Sequence, residues 1–240
     1  MQYWCPSEEI IQKMLKGVFI TGTDTGVGKT LVGTQIITSL RQRGVAVSAC
    51  KPVESGCKLV YGELRPADAL RYHRALAGTV PLQQICPFRF EAAVAPPLAA
   101  RMAGTQLTLD ELVIACGSSD ENLTLIEGAG GFYSPLAEQA LNADLANLLS
   151  YPLVLVAANR LGCINHVLLT LEAIQHRGLE VLAIVLNDSD PALALAENLA
   201  QLRSLQSRPV IHLGYNAPLD VGALFSLAGH PLESLHHGVG

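Results

Sequence analysis

The sequence predicts an α/β fold: a parallel sheet with helices on both faces and a phosphate-binding loop after its first strand. Two observations predict it. Short, near-continuous apolar runs rich in β-branched residues alternate with helical stretches, the pattern of strands buried on both faces. The first of these runs leads into Gly22-Thr23-Asp24-Thr25-Gly26-Val27-Gly28-Lys29-Thr30, a glycine-rich loop at a strand-to-helix turn.

Taken in order, the first strand is Val18–Thr21, and the loop follows it. Gly26 and Gly28 let the backbone curl so that its N–H groups converge on an anion. Lys29 can reach the outer phosphates of a nucleotide and the Thr30 hydroxyl can sit on Mg²⁺. The next helix, Leu31–Arg43, turns its positive end to the same anion. Five residues separate Gly22 from Gly28, one more than in the usual phosphate-loop pattern. The remaining strands are expected at Val45–Cys50, Leu123–Glu127, Leu153–Ala157, Val181–Leu186 and Val210–Leu213. The remaining helices are expected at Ala67–Leu76, Leu107–Cys116, Ala143–Leu149, His166–Arg177 and Pro191–Gln206. The Pro- and Ala-rich stretch from Gln83 to Gly104 reads as a long connection.

Composition narrows the class. Half of the 240 residues are hydrophobic and 15% are charged, which supports a large core and argues against disorder. A formal net charge of −5 gives no basic footprint for nucleic acid. No apolar run has the roughly 18 residues of a membrane span, and the N-terminus lacks a secretory pattern. The six cysteines form no C-x-x-C pair and fit reduced thiols in the cytoplasm. His236-His237 reads as a solvated tail. Residues 1–13 read as an extension of unassigned role, with Ser7 able to cap a short helix; residues 14–240 read as one domain.

Ligands of such sheets bind at the C-terminal ends of the strands, so the residues that follow each strand carry the chemistry. Lys51-Pro52-Val53-Glu54-Ser55-Gly56 follows the second strand; Lys51 is either a surface lysine or a cation held over the sheet edge by the rigid proline. Asp68 opens a helix, as a cap or as a metal ligand. Glu127-Gly128-Ala129-Gly130-Gly131 leaves the third strand with a carboxylate beside glycines, a combination that can hold Mg²⁺ next to phosphate. Thr30, Asp68 and Glu127 together make a hard oxygen set. Arg160 to His166 precedes a helix whose free N–H groups can take a carboxylate. Asn187-Asp188 follows the fifth strand, where the asparagine amide matches an adenine edge. Turn and capping roles stay open for each of these loops.

Together these motifs resemble the dethiobiotin synthetase family, whose members have a P-loop NTPase-like fold. The resemblance runs from about Lys16 to Pro218. It rests on the Gly22–Thr30 loop, Lys51-Pro52-Val53-x-Ser55-Gly56, Asp68-Ala69, Glu127 to Gly131, Leu161-Gly162-Cys163-Ile164-Asn165-His166, and Asn187-Asp188. It implies an ATP- and Mg²⁺-dependent ligase of biotin synthesis that closes 7,8-diaminopelargonate and CO₂ to a cyclic urea through a carbamate and a mixed carbamic–phosphoric anhydride. By the same resemblance Thr25, Lys29 and Lys51 are catalytic, and Thr30, Asp68 and Glu127 hold Mg²⁺. ATP is bound by Gly26, Val27, Gly28, Lys29, Thr30, Leu31, Asp68, Glu127, Gly128, Ala129, Gly130, Asn187, Asp188 and Pro218. The diamino acid meets Ser55 and Lys51, and its carboxylate meets Gly162, Cys163, Ile164 and Asn165 across the interface of a cytoplasmic homodimer.

The chain departs from the family pattern in three places. Gly26 stands where some relatives carry an acidic residue, Ala95-Pro96-Pro97-Leu98 matches loosely, and the Gly214–Pro218 turn is one residue longer. Three other readings compete. A partner-regulated ATPase switch carries a lysine early in the loop, and none lies between Gly17 and Gly28. A cobyrinate-type amidotransferase needs a Cys–His–Glu pattern to supply ammonia. A non-catalytic relative is opposed by the presence of Lys29, Lys51, Asp68 and Glu127.

Overall fold

The computed structural model describes residues 15–117, 122–227 and 229. The extension expected at 1–13, its Ser7 cap and His236-His237 lie outside the described residues.

Six strands form the main sheet: β1 (Gly17–Gly22), β2 (Val47–Cys50), β3 (Leu123–Glu127), β4 (Leu153–Ala158), β5 (Val181–Asn187) and β6 (Val210–Leu213), in the order β6-β5-β4-β1-β3-β2. Every pairing is parallel. β1 lies between β3 and β4, with Gly17 opposite Thr124 and Gly22 opposite Val156. The chain therefore passes to one side of β1 for β2 and β3, and to the other side for β4 to β6. That reversal opens a crevice above the C-terminal end of β1.

Nine helices are described: α1 (Lys29–Gln42), α2 (Ala67–Ala75), α3 (Leu82–Ile85), α4 (Pro96–Met102), α5 (Leu109–Cys116), α6 (Asn142–Leu149), α7 (Cys163–His176), α8 (Ala196–Leu205) and α9 (Val221–Leu227). Alternating strand residues supply two cores, one on each face of the sheet. Val18, Ile20, Leu125 and Val154 pack against Ile36 and Leu40 of α1, Tyr72 of α2 and Phe225 of α9. Phe19, Ile126, Leu155 and Ile184 pack against Leu112 of α5, Leu145 of α6, Leu171 of α7 and Leu202 of α8.

Element boundaries differ from the sequence expectation where local hydrogen bonding intervenes. α7 begins at Cys163, three residues before the expected start at His166, because Gly162 enters it in the left-handed region at φ 86°. α8 begins at Ala196 and not at Pro191. Asp190 there makes its own turn, accepting from the Ala192 N–H at 2.9 Å through its side chain and from Leu193 through its carbonyl. α5 starts at Leu109 because Thr108 and Glu111 form a capping box. The connection expected from Gln83 to Gly104 holds structure of its own: Phe88–Arg89 pairs in parallel with Val53–Glu54, and α4 follows. A hairpin of Lys58–Val60 with Glu63–Arg65 is a further element without a sequence forecast.

Candidate active site

The glycine-rich loop lies in the crevice above β1 and is closed from several directions. The Lys29 ammonium donates to the Asp24 carbonyl at 2.9 Å. The Asn187 amide donates to the Val27 carbonyl at 2.9 Å. Gly28 enters α1 at φ 101°, a left-handed conformation that penalises any side chain. A Cβ there would also run into the Asn187 amide. No side chain caps α1, so its first N–H groups face the loop.

Lys51 lies beside this loop and is 3% exposed. Its ammonium donates to Glu127 Oε1 at 2.5 Å and to the Gly128 carbonyl at 3.0 Å, and lies 3.5 Å from Asp68 Oδ2. The surface-lysine reading is thus set aside. Burial opposes its charge, but the Glu127 and Asp68 carboxylates outweigh burial and hold the amine above the ordinary lysine range. Lys29 goes the other way. Burial first, then the Lys51 ammonium, bring it down to about 8.

Glu127 gathers the site. Besides Lys51, it accepts from the Thr30 hydroxyl at 3.1 Å on Oε1 and from the Tyr72 hydroxyl on Oε2. Burial and then the Glu127 charge push the Tyr72 phenol well above its usual value, so it stays a donor. Gly33 of α1 makes room for that hydroxyl, where a Cβ would collide. Thr30, Asp68 and Glu127 all face one cleft of about 280 Å³, with Thr25, Lys29, Lys51, Ser55 and Arg71 also on its wall. An oxygen-only set of one hydroxyl and two carboxylates fits a hard divalent cation such as Mg²⁺.

The other expected residues divide into two groups. Gly26, Gly28, Leu31, Ala129 and Gly130 line the same cleft. Val27 is buried beneath the loop. Ser55 lines both this cleft and a neighbouring one walled by Val94, Pro96 and Pro135, and its hydroxyl donates to the Val94 carbonyl at 2.7 Å. Asn187 is the last residue of β5, not the first after it, and is 2% exposed. Asp188 accepts from the Asn159 amide and pairs with His212, each at 2.8 Å. The turn carrying Pro218 is tied to α1 by Gln35, which bonds the Ala217 carbonyl at 3.3 Å and the Leu219 N–H at 2.5 Å. Gly162 to Asn165 are not brought to the cleft of this chain; they form the N-terminal end of α7, with Asn165 exposed.

Several residues that shape the site had no assigned role in the sequence. Glu54 occupies the unassigned position inside Lys51–Gly56. Its carboxylate, and not that of Asp68, caps α2, accepting from the N–H groups of Asp68 and Ala69 at 3.0 and 3.1 Å. Tyr72 is four residues after Asp68, hence on the same helix face. That spacing was its only available signal. Asn142 holds the turn after β3, accepting from the Ala129 N–H at 2.9 Å and donating to the Gly131 carbonyl at 3.0 Å. Nothing in the local sequence around residue 142 announces that role.

A parallel sheet with a glycine-rich loop at its switch point, two buried lysines and a carboxylate pair defines the class of P-loop nucleotide-binding α/β enzymes. A family model described as an AAA domain matches residues 16–219. The ATP-dependent dethiobiotin synthetase BioD of Cellvibrio japonicus is 41% identical over 218 residues, covering 90% of this chain and 95% of the relative. That of Pseudomonas aeruginosa (strain UCBPP-PA14) is 43% identical over 197 residues, covering 80% and 86%. Among solved structures, the signal recognition particle receptor FtsY from Elizabethkingia anophelis aligns with a TM-score of 0.50 at 17% identity, covering 93% of this chain and 66% of that one. That likeness shows the fold alone. The chain belongs to the dethiobiotin synthetase family of ATP-dependent ligases.

Proposed function

We propose that this protein carboxylates and closes 7,8-diaminopelargonate to dethiobiotin, using CO₂ and ATP with Mg²⁺ and releasing ADP and phosphate. One amine adds to CO₂ to give a carbamate and a proton. The carbamate oxygen attacks the γ-phosphorus, ADP leaves, and a carbamic–phosphoric anhydride results. The second amine attacks the carbamoyl carbon and gives up a proton, phosphate leaves and can carry that proton as hydrogen phosphate, and the cyclic urea closes. The observation that carries this reading is the placement of Lys51, which is 3% exposed and shares one cleft with Lys29, Thr25 and Ser55.

Two buried ammonium groups suit the oxygens that gather charge when a phosphoryl group moves between a carbamate and ADP. The contacts of Lys51 with Glu127 and the Gly128 carbonyl, and of Lys29 with the Asp24 carbonyl, hold both amines at the cleft before substrate arrives. Thr25 offers a hydroxyl donor on the side toward the neighbouring cleft, where the diamine is held, and Ser55, whose hydrogen goes to the Val94 carbonyl, offers an acceptor to the amines there. Phosphoryl and carbamate oxygens compete with Glu127 for Lys51. Thr30, Asp68 and Glu127 hold Mg²⁺ in this reading. When bound, the ion neutralises phosphate charge. The Val27–Asn187 contact and the Pro218 turn frame the adenine side. Residues 14–240 act as one catalytic domain in a cytoplasmic homodimer. Gly162, Cys163, Ile164 and the exposed Asn165 of each subunit serve the carboxylate of the other subunit's substrate.

The test is release of ADP and phosphate with Mg²⁺, ATP and bicarbonate, with and without the diamine, while the product is followed by mass. Release that requires the diamine and yields the cyclic urea is the expected result. Hydrolysis indifferent to the diamine would refute the reading and favour an ATPase switch.

A further inference from the structure

Helix α2 carries Asp68 in its first turn, yet it has no cap of its own. Its N-cap residue is Pro66, which makes no side-chain hydrogen bond to the helix. The N–H groups of Asp68 and Ala69 must find acceptors elsewhere. Glu54 supplies both, Oε1 to Asp68 at 3.0 Å and Oε2 to Ala69 at 3.1 Å. A serine or aspartate at position 66 would cap the helix locally. A glutamate that is 7% exposed is a costlier solution unless the connection itself matters.

The connection reaches rigid backbone. Val53–Glu54 pairs in parallel with Phe88–Arg89, and the Glu54 carbonyl accepts from the Phe90 N–H at 2.9 Å. Glu54 is thus pinned three residues beyond Lys51 while its carboxylate grips the turn that carries Asp68. Asp68 Oδ2 lies 3.5 Å from the Lys51 ammonium. One turn further along α2, Tyr72 donates to Glu127. The helix is therefore anchored at both ends of the segment that faces the cleft.

We propose that Glu54 is a positioning residue for the cation-binding carboxylate Asp68. It fixes the first turn of α2 against the Val53–Glu54 strand, so that Asp68 faces the same cleft as Thr30 and Glu127. This rests on the reading of Thr30, Asp68 and Glu127 as ligands of the nucleotide's Mg²⁺. Reach, more than charge, is what the geometry demands of residue 54.

Calorimetric titration of ADP, with and without Mg²⁺, tests it on the wild type, Asp68→Asn, Glu54→Asp and Glu54→Gln. The wild type binds ADP more tightly with Mg²⁺, and Asp68→Asn loses that gain. Glu54→Asp keeps the charge but falls one methylene short of the helix. It forfeits about tenfold of the gain, the scale of one lost cap, with Mg²⁺-free affinity held. Glu54→Gln keeps the reach and one acceptor, and retains the greater part of the gain. Full retention of the gain in Glu54→Asp overturns the proposal. So does a reversed order of the two variants, which would make Glu54 a source of charge only, or an equal loss of Mg²⁺-free affinity, which would make it a general structural support. If Asp68→Asn keeps the whole gain, the ligand reading itself fails; loss there with retention in Glu54→Asp sinks the positioning role alone.

Discussion

Lys29 couples nucleotide binding to protons. In the free protein burial and the neighbouring Lys51 bring its amine down to about 8. A bound diphosphate places negative charge against that amine and restores an ordinary lysine value near 10. Binding without Mg²⁺ therefore takes up a proton wherever free Lys29 is neutral. At pH 8 the uptake is about half a proton per site. At pH 9 only about one free site in ten carries the charged lysine, so ADP affinity falls about tenfold between pH 7 and 9, or ~1.4 kcal/mol. The sign for folding follows from the same shift. The unfolded chain holds the extra proton between about pH 8 and ~10.4, so the burial cost of Lys29 is present below that window and is relieved as pH rises through it. The assay is calorimetry in paired buffers of different ionisation enthalpy, at several pH values, on the wild type and Lys29→Arg. Arginine stays charged across the range and should show neither the uptake nor the added pH dependence. Buffer-independent heats in the wild type, or the same pH dependence in both proteins, would refute the reasoning.

Lys51→Ala should nearly abolish turnover while leaving ATP binding largely intact, which steady-state kinetics and calorimetry can check. It also strips the partner from a carboxylate that is 1% exposed, so denaturant unfolding at neutral pH should show a loss of about 3 kcal/mol. The Lys51 contribution is fully present below the ~10.4 of an unfolded lysine. The gap between the two proteins should therefore narrow above that pH, as the unfolded lysine loses its proton while the buried amine keeps its own. Asn165→Ala should raise KM for the diamino acid more than for ATP; an equal rise for both would argue against a carboxylate site at the start of α7. Activity that survives dilution to monomers would remove the shared site altogether.

The local sequence determined much of this protein. Each strand-loop-helix unit is written in neighbouring residues: apolar runs specify buried strands, and glycines followed by Lys29 and Thr30 specify the loop. Because parallel strands all end on one edge, Lys51, Glu127 and Asn187 could be nominated together without any contact being known. The tertiary structure alone decided who meets whom. Strand order puts β1 between β3 and β4. That order brings Lys51 to Glu127 across 76 positions and Asn187 to Val27 across 160. Periodicity names the face on which a side chain lies, but not the neighbour that packing brings to that face. For the same reason Glu54, a charged residue inside a recognisable motif, gave no hint of its role as the cap of α2. Its partners are backbone N–H groups, which every residue except proline carries and which no sequence pattern marks.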